Sequence, residues 1–189
     1  MKCLIINGSP KANGNTAAMI DEFAKNFEGE IDIINPFKSL SPCLDCGYCT
    51  MHKKCCINDD FSKLLLDDYH IILIASPIYM SNLPGPMLSL ISRFNYLYNN
   101  RVNLNYEHSF NPKRAVLFLI GGGSASEMLK GDFNESNPIA QAKYIFKKLN
   151  AQLKDRDVVL CLNTNEMSVE NNSMILNKIS NIAKSCNEK

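Results

Sequence analysis

Five of the eight cysteines in this 189-residue chain lie between Cys43 and Cys56, and their spacing suits metal or redox chemistry. The first three follow a C-x2-C-x2-C pattern, and Cys55 and Cys56 come next. Zinc sites normally separate two C-x2-C pairs by about a dozen residues or more, so this compact run fits an iron–sulfur cluster better. Reduced structural thiols, a redox-active dithiol and a zinc site are the alternatives.

A polar loop follows the first apolar run and reads Gly-Ser-Pro-Lys-Ala-Asn-Gly-Asn-Thr over positions 8 to 16. Backbone N–H groups in such a turn, together with the helix that it opens, attract an anion. The spacing fits neither the triphosphate loop nor G-x-G-x-x-G, which leaves a terminal phosphate such as that of FMN. The candidate phosphate-binding residues are Ser9, Lys11, Asn13, Asn15 and Thr16. The alternative is that Asn13 or Asn15 only caps the helix.

Two further loops could contact a planar ring. The third apolar run ends in Ser-Pro-Ile-Tyr-Met, where Pro77, Ile78, Tyr79 and Met80 offer an aromatic ring and a thioether. The fourth run ends in three glycines, and Gly121 and Gly122 would let the backbone pass close to a flat group. The alternatives are that Tyr79 and Met80 only close the end of the sheet, and that the glycines only begin a flexible loop.

The elements that must position these loops alternate along the chain. Five apolar runs predict strands, and they are mostly continuous, as in strands that a parallel sheet buries on both faces. These runs are Leu4 to Ile6, Ile31 to Ile34, Ile71 to Ala75, Ala115 to Ile120 and Val158 to Leu162. Amphipathic stretches predict helices between and after them: one carrying Ile20, Phe23 and Phe27, one after Asp59-Asp60, one from about Pro86 to Tyr98 and beyond, one with Tyr144, Ile145 and Leu149 on one face, and one carrying Ile175, Ile179, Ile182 and Cys186. The alternation predicts a doubly wound α/β fold with a five-stranded parallel sheet between two helical layers.

Length and composition predict one domain over residues 1–189, with a Cys-rich loop insertion at about 37–58. A second long loop is expected from Gly121 to Asn137. Both loops follow strands, so they should lie at the carboxyl edge of the sheet, where ligands bind in open α/β folds. Cys3, Cys161 and Cys186 fall on predicted strand or helix faces and are expected to be core residues.

Charge and hydropathy exclude several classes of partner. The net charge is only +1, which argues against a nucleic-acid partner. No apolar run approaches the ~20 residues that a membrane span needs, so no membrane association is expected. The N-terminal apolar stretch is too short for a signal peptide, and the expected location is therefore cytoplasmic.

The loops at 8–16 and 76–79, with Pro84 and Arg93 following, resemble the flavin loops of the NADPH-dependent FMN reductase group. The resemblance implies a flavodoxin-like fold with strand order 2-1-3-4-5, non-covalently bound FMN, NAD(P)H as co-substrate, and a homodimer or homotetramer. It assigns the five polar residues of the first loop to the phosphate, and Pro77 to Met80 with Gly121 and Gly122 to the ring. The chain departs from the pattern at Lys11, where members often carry Arg, and at Leu88 and Ser92, where many carry Lys and Asp.

The cysteine run also resembles the four-cysteine motif of iron–sulfur flavoproteins, a branch of the same fold. That resemblance implies a [4Fe-4S] cluster held by Cys43, Cys46, Cys49 and Cys55, with Cys56 as the competing fourth ligand. Many flavin reductases carry a similar loop without a reported cluster.

The predicted function is an NAD(P)H-dependent, FMN reductase-like oxidoreductase that passes electrons through FMN to a quinone or another small acceptor. The flavin would carry the chemistry, so no catalytic side chain is expected. One alternative is an iron–sulfur flavoprotein that takes electrons from a ferredoxin-like donor. A second is a flavin-binding sensor whose cysteine segment reports redox state.

Overall fold

The computed structural model describes residues 1–129 and 137–188 and contains a five-stranded sheet in which every pairing is parallel. The strands are β1 (Lys2–Asn7), β2 (Glu30–Ile34), β3 (Ile71–Pro77), β4 (Lys113–Ile120) and β5 (Ala151–Cys161). Their order is β2-β1-β3-β4-β5, which confirms the predicted flavodoxin-like topology. In folds of this topology, ligands bind where the strand order switches between β1 and β3, at the carboxyl ends of these strands.

The fifth strand begins seven residues before the expected Val158. Its first half carries exposed polar side chains at the edge of the sheet, so it lacks the apolar run that marks the other strands. The register against β4 shifts between Ala115 and Leu117, close to the point where β5 becomes buried.

Helices cover both faces of the sheet. They are α1 (Asn15–Asn26), α2 (Pro36–Ser39), α3 (Phe61–Leu64), α4 (Gly85–Arg93), α5 (Asn95–Leu104), α6 (Ala125–Met128), α7 (Asn137–Lys148) and α8 (Ser173–Asn187), with short 3-10 turns at Tyr48–Thr50 and Val169–Asn171. The single helix expected from Pro86 to Tyr98 and beyond is two helices, because the chain bends at Phe94. That residue is buried, and its ring packs edge-on against Phe61.

Each face of the sheet has its own core. Side chains such as Leu4 and Ile6 pack against α4, α5 and α7, whereas Cys3 and Ile5 pack against α1 and α8. This burial on both sides explains the continuous apolar runs and confirms the three-layer prediction. The expectation for Tyr144 was wrong: Ile145 and Leu149 are buried, but Tyr144 is exposed and does not share their buried face.

The three cysteines outside the Cys43–Cys56 segment lie in the α1–α8 core, as expected. Cys3, Cys161 and Cys186 are all buried. Burial raises the pKa of the Cys186 thiol to about 11, and it raises the pKa of Cys161 as well. These thiols are therefore protonated packing groups rather than nucleophiles.

None of the described helices is both long enough and apolar enough to cross a membrane.

Candidate functional site

The loop after β1 begins in close contact with β3. Gly8 donates its N–H to the carbonyl of Ala75 at 2.8 Å. A Cβ at Gly8 would lie 2.5 Å from Ser76 Oγ and 2.8 Å from Ser76 Cβ, so only glycine fits without a shift. The strand pairing and this contact hold the start of the loop against the end of β3, at the switch point of the sheet.

The loop is shaped by hydrogen bonds of its own. The buried Ser9 donates its N–H to Asn7 Oδ1 at 3.0 Å, and its Oγ accepts from the Lys11 N–H at 3.2 Å. The carbonyl of Ser9 accepts from Asn35 Nδ2 at 2.8 Å, which ties the loop to the residue after β2. The side chains of Lys11 and Asn13 are exposed at the rim. The loop is thus preorganised, with a cation and an amide facing outward.

The helix that follows starts without a side-chain cap. Its N-cap residue is Gly14, at φ 133°, and no side chain of the described residues caps the first turn. Neither Asn13 nor Asn15 therefore caps α1. The first N–H groups of a helix have no carbonyl of their own to bind, so this end is available to an anion.

The two remaining residues of the predicted phosphate set differ in their surroundings. Thr16 lies in the first turn of α1, is only 6% exposed, and its hydroxyl has no hydrogen-bond partner among the described residues. Asn15 instead accepts from the Val169 N–H through Oδ1 at 2.9 Å, which joins α1 to the turn after β5. Only the amide nitrogen of Asn15 is left to face a ligand.

The loop after β3 makes a tight two-residue turn. Tyr79 and Asn82 exchange both backbone hydrogen bonds, at 2.9 and 3.0 Å, and the residues between them, Met80 and Ser81, have φ of 49° and 59°. Such a turn normally carries Asn or Gly, so a methionine and a serine here are strained. The side chain of Met80 is 91% exposed and that of Tyr79 is half exposed. Ile78 is buried and donates its N–H to Ile120, so Tyr79 and Met80 offer the accessible surface.

Polar contacts hold this turn to neighbouring elements. Ser81 Oγ donates to the carbonyl of Glu127 at 3.2 Å, and Gln141 binds both Asn82 Oδ1 and the Leu83 N–H at 2.9 Å. Sequence reasoning missed Gln141, because nothing local distinguishes it from any other polar residue of α7.

The glycines after β4 are packed closely by protein. A Cβ at Gly121 would lie 2.8 Å from Met128 Cγ and 2.9 Å from Leu162 Cδ2, and one at Gly122 would lie 2.9 Å from the amide of Asn165. Both glycines lie at the same sheet edge as the other two loops, as expected. Close packing against side chains of the protein itself is enough to require glycine at these positions, without a bound ring. Of the expected long loop from Gly121 to Asn137, residues 130–136 lie outside the described part of the chain.

All five clustered cysteines line one pocket against α4 and α5, together with Arg93, Asn95, Tyr96 and Asn99. Asn99 Nδ2 donates to Cys49 Sγ at 3.3 Å, and the buried Asn100 donates to the Cys49 carbonyl at 2.8 Å. The N–H of Cys43 donates to Ser92 Oγ at 3.1 Å. The segment is therefore seated on the helix pair through several specific polar contacts.

Arg93 joins both ends of this segment to α4. Its side chain is 1% exposed, and Nη1 donates to the Ser41 carbonyl at 2.9 Å and to Asp59 Oδ2 at 2.6 Å. Nη2 donates to Cys55 Sγ at 3.4 Å, and the guanidinium lies 4.6 Å from the centre of the Phe61 ring. Burial is the largest single influence and would lower the pKa of Arg93, but the hydrogen bond to Asp59, the charge of Asp59 and the contact with Cys55 together outweigh it, so the pKa is raised. A fixed cation thus lies beside a thiol.

One atom of Arg93 lacks a partner: Nε is buried and has no hydrogen bond within the described residues. A buried donor left unpaired is costly and usually has a ligand or water to satisfy it. This orphan donor, beside a pocket of thiols, fits an anionic sulfur-containing group. Sequence reasoning placed Arg93 only in the helix after the flavin loop and did not connect it to the cysteines.

Cys46 and Cys56 form a pair within the segment. Their Sγ atoms are 3.2 Å apart and both residues are exposed. The backbone N–H of Tyr48 and the contact with Cys56 lower the pKa of Cys46. The pKa of Cys56 is raised to about 11, chiefly by the same contact with Cys46.

The thiol set matches the ligand chemistry of an iron–sulfur cluster, since thiolates are its usual ligands. Among residues 1–129 and 137–188, however, no three Cys, His, Asp or Glu side chains converge as a preformed metal site. The five thiols share a pocket, so a cluster would require their Sγ atoms to turn towards a common centre.

The sequence profile of one family, described as NADPH-dependent FMN reductase, matches residues 1–158. The chain belongs to this family. Membership confirms the resemblance predicted from the first two loops. It also supports the expectation of an oxidoreductase.

Two curated relatives are iron–sulfur flavoproteins. An iron–sulfur flavoprotein of Archaeoglobus fulgidus is 31% identical over 99 residues, which are 49% of this chain and 45% of the relative. An iron–sulfur flavoprotein of Methanocaldococcus jannaschii is 33% identical over 100 residues, 49% of this chain and 51% of the relative. The chain therefore spans about half the length of these relatives.

Among solved structures, an FMN-dependent NADH-azoreductase of Bacillus anthracis, determined in complex with FMN, superposes with a TM-score of 0.64. The match covers 100% of both chains at 14% sequence identity, and so establishes a shared fold alone.

Proposed function

We propose that this chain binds FMN non-covalently at the carboxyl edge of its sheet and uses it to pass electrons from NAD(P)H to a quinone or another small acceptor. The observation that carries the proposal is the start of α1, a helix end without a side-chain cap, where the buried residue Thr16 keeps a hydroxyl that makes no hydrogen bond among the described residues. A helix end of this kind suits a phosphate monoester. Membership of the FMN reductase family supports the choice of FMN.

Each predicted residue has a part in this proposal. The FMN phosphate would take hydrogen bonds from Thr16, from the Asn13 and Asn15 amides and from the N–H groups at the start of α1. Lys11 would supply the opposing charge at the rim, and Ser9 would hold the loop in shape while it faces the phosphate. The ring would lie between the loop formed by Pro77, Ile78, Tyr79 and Met80 and the backbone at Gly121 and Gly122.

Bound FMN supplies the redox chemistry, since its ring can accept a hydride and release electrons. The chain supplies binding, orientation and exclusion of water. The exposed Tyr79 and Met80 side chains would cover part of the ring, while the buried Ile78 closes the crevice behind it. No side chain is assigned an acid–base role.

The purified protein tests this proposal directly. We expect heat denaturation to release FMN into solution, identified by chromatography and fluorescence. A colourless preparation that also fails to take up added FMN would refute the proposal.

Replacing Thr16 with valine should weaken FMN binding by about 1 kcal/mol or more, because a charged phosphate loses a hydrogen bond. Fluorescence titration of the stripped protein measures the change. The matched control is Thr50→Val, which removes a hydroxyl that donates to the Gly47 carbonyl in the cysteine segment and should leave FMN affinity unchanged. Equal affinity in wild type and Thr16→Val would remove Thr16 from the phosphate site.

A second candidate is an iron–sulfur flavoprotein with a [4Fe-4S] cluster as well as FMN, taking electrons from a ferredoxin-like donor. It is favoured by the five thiols in one pocket and by the unpaired Nε of Arg93, a residue that lines the same pocket. The proposed ligands are Cys43, Cys46, Cys49 and Cys55, with Cys56 as the alternate fourth. Stoichiometric iron and acid-labile sulfide in anaerobically purified protein would support this candidate, and their absence after reconstitution would exclude it.

A homodimer or homotetramer in the cytoplasm, with a neighbouring copy helping to close the flavin site, completes the proposal. Sedimentation of the flavin-loaded protein tests the assembly.

A further inference from the structure

The five clustered cysteines differ in what they contact. Cys49 and Cys55 accept hydrogen bonds at Sγ from Asn99 of α5 and Arg93 of α4. Cys46 and Cys56 instead contact each other, with Sγ atoms 3.2 Å apart, and both residues are exposed. The contacts thus separate two helix-bound thiols from a solvent-facing pair.

The two Sγ atoms of the pair are already in contact, at 3.2 Å. A disulfide bond has an S–S distance of about 2.05 Å, so the two sulfurs need to approach by only about 1 Å more. The chain turns sharply on both sides of Cys46, with Asp45 at φ 49° and Gly47 at φ 70°. Nothing lies within 4 Å of the position of a Cβ at Gly47, so the turn has room to adjust.

We propose that Cys46 and Cys56 form a reversible dithiol–disulfide site, a modification site separate from the flavin crevice. The oxidant is a small-molecule disulfide. One thiolate attacks it to give a mixed disulfide and release one small thiol, and the second cysteine then displaces the other small thiol. Two cysteine thiols become one disulfide, and one small disulfide becomes two small thiols. Exposed disulfides of this kind are readily reduced, so the site is reversible.

The site has a consequence for the cysteine segment. Cys46 Sγ cannot be bonded to Cys56 and serve as an iron ligand at the same time. If the second candidate function holds, disulfide formation would withdraw Cys46 and the alternate ligand Cys56 together, and would leave three of the proposed cysteine ligands for a cluster. The dithiol site itself depends on neither the flavin nor the cluster.

The test measures thiols in the folded protein. The purified chain is treated with a reductant and an iron chelator, desalted without air, and exposed to oxidised glutathione. We expect two of the eight thiols to be lost, a mass decrease of two hydrogens, and a non-reduced peptide map that joins Cys46 to Cys56. Dithiothreitol should restore both thiols.

Variants make the result specific. Cys56→Ser should form no intramolecular disulfide and should instead hold glutathione at Cys46, whereas Cys43→Ser should still join Cys46 to Cys56. A map that joins other cysteines, or unchanged thiols in protein shown to be folded by circular dichroism, would overturn the proposal. The flavin content of the same samples is measured separately. A result against the Cys46–Cys56 disulfide is therefore distinguishable from a result against FMN binding.

Discussion

Replacing Arg93 with methionine is expected to lower the free energy of unfolding by about 3 kcal/mol or more. The guanidinium is 1% exposed and Asp59, its partner, is 12% exposed, so the change leaves a carboxylate in the interior without its cation. Breaking a buried ion pair by removing one partner typically costs about 3–5 kcal/mol. The same change removes the hydrogen bonds to the Ser41 carbonyl and to Cys55, so the cysteine segment should lose its fixed position on α4.

Urea denaturation followed by circular dichroism measures the effect. The matched control is Lys63→Met, which breaks the exposed ion pair with Asp60 at 3.0 Å and should cost less than about 1 kcal/mol. Adding Asp59→Asn to Arg93→Met should recover part of the loss, because the stranded charge is gone. Equal stabilities of Arg93→Met and Lys63→Met would show that the pair does not hold the segment in place.

Gly8→Ala adds a single methyl group and should lower the free energy of unfolding more than any other such addition in the loops after β1 and β3. The added Cβ would lie 2.5 Å from Ser76 Oγ, at the point where the β1 loop passes the end of β3. Overpacking of this kind costs about 1–3 kcal/mol in stability. The loop that precedes α1 must shift to relieve the contact, so FMN binding should weaken as well.

A rescue variant separates this contact from any general effect of the substitution. Ser76→Gly removes both of the Ser76 atoms that the new Cβ would meet, so Gly8→Ala with Ser76→Gly should be less destabilised than the sum of the two single changes. Strict additivity in chemical denaturation would show that the approach of the two loops is not as close as the structure has it.

The three central strands, β1, β3 and β4, were readable from sequence because they are buried on both faces. Runs such as Leu4 to Ile6 and Ile71 to Ala75 serve two cores at once, so they are apolar at every position. The fifth strand was only half predicted, since residues 151–157 form a polar edge that carries no such signal. The division between α4 and α5 was missed because Phe94 is neither a glycine nor a proline, the residues that usually mark a break in a helix.

At the site, sequence placed the right loops but not their long-range partners. The hydrogen bond from the Val169 N–H to Asn15 joins residues that are far apart in the chain, so the spacing of residues around Asn15 could not predict it. The same holds for the contacts of Arg93 with Ser41, Cys55 and Asp59. The turn at Met80 and Ser81 was also unreadable, because it adopts a conformation that usually requires Asn or Gly.

The central claim is that this chain holds FMN in the crevice and reduces it with NAD(P)H. One anaerobic absorption spectrum of the purified protein, taken before and after addition of NADPH, tests it most directly. We expect the two visible bands of oxidised FMN, bleached by NADPH without another reductant. Additional absorbance between and beyond those bands would report a cluster in the cysteine pocket. A spectrum without flavin bands, even after incubation with excess FMN and removal of the unbound cofactor, would contradict the account.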